Sequence, residues 1–484
     1  LSMWRLSPPK EKTMKDQSSE KELFEHCPVP KAIFKLALPT VIGQIILVVY
    51  NMADTFFIGL TGSDAMITAV TVCMPAFMFL SAISNLFGVG GASVISRALG
   101  KHSPERARHT AAFALWGCIA VTLLYSLAAY LMRDTFINLL GGSDPTVHAY
   151  AVEYLVCTVV LGGFCTAMNT LLAHLIRAEG HSLQSSVGIT LGGIFNMALD
   201  PLFMFVILPR GQETLGAAIA TALSNVLATG YFVWVIARNR DRSVMRFAPS
   251  RRMLDDRIPA DVMSTGLPAC LMTLFENISY AVLDNLMSLA GTAMQAGIGV
   301  AKKVNMLAHC IVRGMAQGVL PLIGYNYASG NHCRMRSTVL ISTLASVAMA
   351  TLCMTVSLCF SRQLIGIFIQ HGSDSVVYGA RFLRILSLGG PFSACAYAFI
   401  SFFQATGKGM KSFLLAILRK GLVDIPLMFI LNNAMPIYGI VWATPIADVI
   451  CCVTAIAFFT SFMRQHADLL SDQPVAGMAQ SAKV

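Results

Sequence analysis

Along the chain, long apolar stretches alternate with short polar connections, a pattern that predicts helices too apolar for a soluble core. About 20 mostly apolar residues suffice to cross a bilayer. Such runs fall at roughly 34–60, 66–97, 110–132, 150–176, 183–208 and 215–237, then at 261–290, 293–328, 337–360, 378–406, 410–433 and 436–463. The expected fold is an all-α polytopic membrane protein of twelve transmembrane helices, in two six-helix lobes at 31–237 and 261–463. A basic linker, 238–260, joins them. Polar segments at 1–30 and 464–484 read as flexible tails. The chain does not begin with Met, and Met3 and Met14 are candidate starts.

Composition agrees with this reading. Of 484 residues, 55% are hydrophobic and 12% charged, against about 25% charged in a soluble domain. The net charge of +10 becomes informative only by location. Arg97, Lys101, Arg106, Arg108, Arg177, the seven arginines from Arg238 to Arg257, Arg334, Arg336, Lys408 and Lys411 all fall in one alternate set of connections. The other set holds Arg133, Arg210 and Arg362, with Arg381 and Arg384 near the start of the tenth span. Basic loops face the cytoplasm, so both termini are expected inside, in an inner (plasma) membrane. This placement accounts for most of the positive charge without nucleic acid. The thirteen cysteines mostly sit inside apolar runs, away from any ligand-spaced Cys/His cluster, and read as packing residues.

The halves repeat. Pro39, Asp54 and Gly62–Met66 (GSDAM) parallel Pro268, Asp284 and Gly291–Met294 (GTAM). RAEG (Arg177–Gly180) before DPLFMF (Asp200–Phe205) parallels QATG (Gln404–Gly407) before DIPLMF (Asp424–Phe429). GAAIAT (Gly216–Thr221) parallels GIVWAT (Gly439–Thr444). An even number of spans per half sets both copies the same way up, about an axis along the membrane normal.

Two polar features lie where a plain anchor avoids them. Pro39 removes a backbone donor from the first span. Asp54 sits well inside it, at a cost of about 2.5–3.5 kcal/mol for a carboxylate at mid-helix. At 1.5 Å per residue, Asp54 and Asp200 each rise about 28 Å from the basic side, with Asn196 one turn below Asp200 and Thr221 at similar height. Structural duties are one account: Asp200 capping backbone beside Pro201, Asn196 bridging helices, Thr221 bonding its own backbone. Against it, the first six spans carry no Lys or Arg apart from their ends. Uncompensated acids at that depth call for a proton, a metal cation such as Na+ or a cationic substrate, and a close carboxylate pair suits a reversible proton carrier. In the second half, Glu276, Asp284, Asp424 and Asp448 share the spans with Lys302, Lys303 and Arg313. Internal ion pairing is expected there, with Glu276, Lys302 and Lys303 as secondary site candidates. His174 and Arg177 are placed at the cytoplasmic interface, and Arg97–Arg108 is read as a helix end followed by a short solvated helix. No P-loop, nucleophile elbow or HExxH motif points to an enzyme.

NMADT (Asn51–Thr55), GGASVISRALGK (Gly90–Lys101), RAEG, NMALDP (Asn196–Pro201), GLPA (Gly266–Ala269), Phe275-Glu276 and QGVLPLIGYNYASGN (Gln317–Asn331) resemble the multidrug and toxic compound extrusion (MATE) transporters over residues 31–463. The resemblance implies two lobes forming a V and ion-driven export of mostly cationic, amphipathic compounds, with no cofactor beyond the coupling H+ or Na+. It matches Asp54 to a first-helix carboxylate whose ion binding is coupled to bending at Pro39. Asn196, Asp200 and Thr221 complete the N-lobe cation site, and Asp at position 200 resembles the DinF-like branch. Glu276 matches the C-lobe carboxylate of the NorM branch. Ser393–Phe403 (SACAYAFISFF) holds no acid where that branch has one, which favours coupling in the N-lobe. The expectation is a monomeric efflux antiporter in contact with membrane lipid. Its alternatives are an exporter of an endogenous metabolite and a lipid-linked sugar flippase with a more basic cavity.

Overall fold

The computed structural model describes residues 22–139, 144–240, 243–245, 247–255, 257–368 and 374–465. The first half contributes α1 (Val29–Gly59), α2 (Asp64–Gly100), α3 (Pro104–Leu131), α4 (Pro145–Leu161 continued by Gly163–Ala178), α5 (Ser182–Ile207) and α6 (Glu213–Arg238). The second contributes α7 (Ile258–Ala290), α8 (Thr292–Ala328), α9 (His332–Gly366), α10 (Asp374–Leu388 continued by Gly390–Ala405) and α12 (Tyr438–Gln465). Each of these eleven is long and apolar enough to cross a membrane if the two bent pairs count as single spans. Between α10 and α12, α11 runs from Gly409–Ile417 through Leu418–Val423 to Asp424–Ala434. It is a charged helix, carrying Arg419, Lys420 and Asp424.

Local chemistry sets the helix ends. Asp144 accepts hydrogen bonds from the backbone N–H of Thr146 and Val147, and Asn331 caps Arg334. Each cap satisfies backbone donors that a helix start leaves orphaned. The repeat is visible in the breaks. RAEG and QATG each end on a left-handed glycine, Gly180 at φ 95° and Gly407 at φ 74°. α4 bends by 47° and α10 by 42°, each at a single intervening glycine.

The lobes meet through close backbone crossings in the halves of the helices nearer the basic loops. A Cβ on Gly266 of α7 would lie 1.8 Å from the Leu86 carbonyl oxygen of α2, and one on Gly90 would lie 2.3 Å from the Val262 carbonyl. Gly314 and Gly318 of α8 let Val41 and Ala37 of α1 approach similarly. Without a strong hydrophobic drive between helices in lipid, small residues at such crossings supply the packing. Gly266→Leu is therefore expected to force α2 and α7 apart at an overpacking cost of about 1–3 kcal/mol. A lower melting temperature of the detergent-solubilised protein would show it.

Two expectations change at this end. The tail drawn over 1–30 is not free at its inner edge. Glu22–His26 forms a π-helical turn, and Phe24 stacks on Tyr325 at 4.9 Å between ring centroids. Arg334 Nε donates to the Phe24 carbonyl at 2.7 Å, and the Tyr325 hydroxyl donates to Glu25 Oε1 at 2.6 Å. Residues 1–21 lie outside the described residues, as do 466–484 of the other tail. The basic linker is anchored at the end of α4, where Glu179 accepts from Ser243 Oγ and the Val244 N–H, and Val244 and Met245 are buried. Arg97–Arg108 holds no separate helix: α2 ends at Gly100, α3 begins at Pro104, and the Arg97 guanidinium packs against Gly407 of the other lobe.

Candidate ion and cargo sites

Helix packing brings the N-lobe acids together. A Cβ on Gly43 of α1 would touch Ser186 of α5 at 3.4 Å, and one on Gly193 would lie 3.2 Å from the Tyr50 ring. These two contacts set one parallel register for α1 and α5. One turn beyond Tyr50, that register carries Asp54 to the level of Asn196 and Asp200. Asp54 is 6% exposed and Asp200 fully buried. Asn196 Nδ2 donates to Asp200 Oδ1 at 3.2 Å and to Thr221 Oγ1 at 3.3 Å. Asp54 Oδ1, Asn196 Oδ1 and Asp200 Oδ2 are buried without a hydrogen-bond partner among the described residues. No ion pair is found for either acid among those residues. Asn196, Asp200 and Thr221 thus form one hydrogen-bonded cluster, and the α1–α5 register sets Asp54 at its level. Buried acceptors of this kind are costly when left unsatisfied. No group of three or more His, Cys, Asp or Glu capable of holding a metal ion is found among the described residues.

A cavity of about 410 Å³ lies between the lobes. Gln44 of α1 donates to Gln317 of α8 at 3.3 Å low in its wall, and Gln404, His174 and Arg177 also line it. Higher up, Tyr50 and Asn51 face Glu276, Tyr280 and Met306 across it. Asp54 and Asp200 are not among the lining residues. Tyr50 and Asn51, on the same helix as Asp54, stand in the cavity wall. His174 and Arg177, expected at the interface with water, are 8% and 2% exposed. Arg177 donates to Ser185 Oγ at 3.1 Å, while its Nε has no partner among the described residues.

The C-lobe neutralises itself. Arg313 pairs with Glu276 at 2.7 Å, Arg419 with Asp448 at 2.6 Å, Lys420 with Asp424 at 2.7 Å, and Lys302 with Asp284. Lys303 has no carboxylate within 4.0 Å among the described residues. Of the secondary candidates only Glu276 lines the cavity, and it does so as half of an ion pair. Sequence reading overlooked Arg419 and Lys420, which lie inside an apolar run taken as an ordinary span. The signal was present: a base four residues before Asp424, on the same helical face.

A model of the MatE family matches residues 39–202 and matches again over 268–430. The chain belongs to the MatE family. It is thus a multi-pass membrane transporter rather than an enzyme, and the double match falls on the two halves of the repeat. The multidrug export protein MepA of Staphylococcus saprophyticus is 28% identical to this MatE chain over 437 residues, covering 89% of it and 94% of the relative. A crystal structure of MATE in complex with MaL6 superposes with a TM-score of 0.84 at 24% identity, covering 93% of this chain and 99% of that one. An outward-facing multidrug resistance MATE family transporter of the MOP superfamily superposes with a TM-score of 0.83 at 23% identity, covering 93% and 98%. These likenesses establish the two-lobed all-α fold.

Proposed function

We propose that this chain is a secondary active efflux antiporter of a bacterial plasma membrane, exporting cationic amphipathic compounds in exchange for H+ or Na+. The carrying observation is the N-lobe pair of buried carboxylates, which with Asn196 present three acceptor oxygens without a hydrogen-bond partner and have no ion pair among the described residues. Asp54 and Asp200 bind the coupling ion, Asn196 and Thr221 orient them, and Na+ would take the same oxygens as a proton. Coupling resides in this lobe, the DinF-like arrangement, because the C-lobe acids already hold cations of their own. Both termini lie in the cytoplasm with the basic loops, so the lobes are sealed on the cytoplasmic side. Pro39 leaves one backbone acceptor of α1 without its usual donor, and bending there moves Tyr50 and Asn51 in the cavity wall together with Asp54. Ion and cargo are then linked through one helix rather than one contact, and each lowers the other's affinity by the same factor. The protein acts as a monomer.

The decisive experiment reconstitutes purified protein in liposomes and follows substrate-driven movement of H+ or Na+. A cationic dye that drives counter-movement of either ion supports the proposal; dye transport indifferent to both gradients overturns it. A second reading, export of an acidic lipid-linked sugar or metabolite, draws on the cavity wall, where Arg177 and Arg313 outnumber Glu276. Under that reading Arg177→Gln weakens binding of an anionic cargo about ten-fold, the effect of one charge-assisted hydrogen bond of ~1.4 kcal/mol. Under the cationic reading the same substitution leaves affinity unchanged or tightens it, as binding titrations would show.

A further inference from the structure

The two lobes carry the same polar cluster with different occupants. In the N-lobe, Asn196 and Asp200 stand four residues apart on α5 and meet Thr221 of α6. In the C-lobe, Lys420 and Asp424 stand four residues apart on α11, and Thr444 of α12 donates to Asp424 Oδ1 at 3.0 Å. Thr221 and Thr444 end the matching GAAIAT and GIVWAT segments, and Asp200 and Asp424 open the matching DPLFMF and DIPLMF segments. Lys420 therefore stands where the N-lobe has Asn196. Ser279 of α7 donates to Asp424 Oδ2 at 2.6 Å, so Asp424 is enclosed by a hydroxyl from each neighbouring helix and one ammonium. Lys420 is 2% exposed and Asp424 fully buried. The backbone widens into a π-helical segment at Leu418–Val423, a distortion that often re-aims functional side chains.

The acids differ in parallel. The N-lobe cluster has a second carboxylate, Asp54, on its first helix. The nearest acid in the corresponding stretch of α7 is Asp284, which is turned away to pair with Lys302. The N-lobe cluster thus has two acids and no base, the C-lobe cluster one acid and one base. Tyr280 adds its ring face to Lys420 at 5.4 Å, a further cation-stabilising contact.

We propose that the Lys420 ammonium is a tethered cation seated in the C-lobe copy of the ion site. It holds that lobe permanently in the ion-filled arrangement and leaves the N-lobe with the exchangeable site. Removing the ammonium while keeping Asp424, Ser279 and Thr444 exposes a second oxygen-lined site for a small monovalent cation, Na+ or H+. The inference rests on the reading of the N-lobe cluster as an ion site, and the test separates the two.

In purified full-length protein carrying Asp54→Asn and Asp200→Asn, radioactive sodium is expected not to bind at alkaline pH. Adding Lys420→Asn restores saturable binding of one Na+ per chain, or a carboxyl infrared band that appears on acidification, and Asp424→Asn abolishes either signal. A folded Lys420→Asn chain with neither signal overturns the proposal. If Lys420→Asn alone impairs folding, Na+ or acid should rescue it, as should the paired change Lys420→Asn with Asp424→Asn. Rescue by the paired change without rescue by either ion also overturns the proposal. Should the unmodified N-lobe bind neither ion while Lys420→Asn creates a site, the reading of the N-lobe fails and the tethered cation stands.

Discussion

Asp54→Asn is expected to abolish ion-coupled exchange while leaving the protein folded and inserted. Asparagine matches aspartate in volume, so packing against α5 is retained. What disappears is half of the negative charge that makes the cluster a cation site. A lone carboxylate still attracts a cation, but it loses the attraction of the second acid. Even a loss of ~3 kcal/mol in ion binding lowers affinity by more than a hundred-fold, enough to uncouple the ion from the cycle under a physiological gradient. In proteoliposomes the variant should show no dye-driven H+ or Na+ movement, and in a drug-sensitive host no added drug tolerance at equal membrane expression. Asp54 and Asp200 must be ionised to bind Na+, so Na+ binding to the unmodified protein should weaken as pH falls. Retained coupling in Asp54→Asn would remove Asp54 from the mechanism.

The helices and their repeat were legible because bilayer crossing imposes a length and a composition that few other folds share. The N-lobe cluster was legible for a related reason: Asp54 and Asp200 are conspicuous in runs otherwise free of charge, and helical rise places them at one height. The rest depended on which face of a helix looks where. Rise gives depth but not azimuth, so it does not say that Tyr50 and Asn51, rather than Asp54, line the cavity. Arg177 was put at the water interface because it ends a span. Its side chain is instead buried, bonded to Ser185 in the wall of the cavity between the lobes. Arg419 and Lys420 escape notice because a mean over 410–433 stays apolar while both sit in its middle. A buried base is paired with an acid somewhere, and Asp424 and Asp448 were already in view as acids seeking partners.

Arg419→Met should be the most damaging single change in the C-lobe. The guanidinium is 1% exposed and holds three groups at once. Its Nε donates to Asp448 Oδ1 at 2.6 Å and its Nη2 to Ser393 Oγ at 2.8 Å. Its plane covers the Tyr397 ring at 4.5 Å. Methionine fills most of the space but leaves Asp448 buried and ionised against nothing, with Oδ2 already unpartnered. Removing one member of a buried pair costs about 3–5 kcal/mol, whereas replacing both by groups of similar volume is often neutral. Unfolding of the detergent-solubilised protein should therefore show a large loss in Arg419→Met and recovery of most of it when Asp448→Asn is added. The N-lobe supports the second half of this expectation. Four residues after Thr221 stands Asn225, as Asp448 stands four after Thr444, and Asn225 accepts from Asn169 at 3.0 Å in a neutral pair. The fold thus accepts an amide at that position. Additive losses in the two single variants, with no recovery in the double, would mean that Arg419 acts through Tyr397 and Ser393 rather than through its charge.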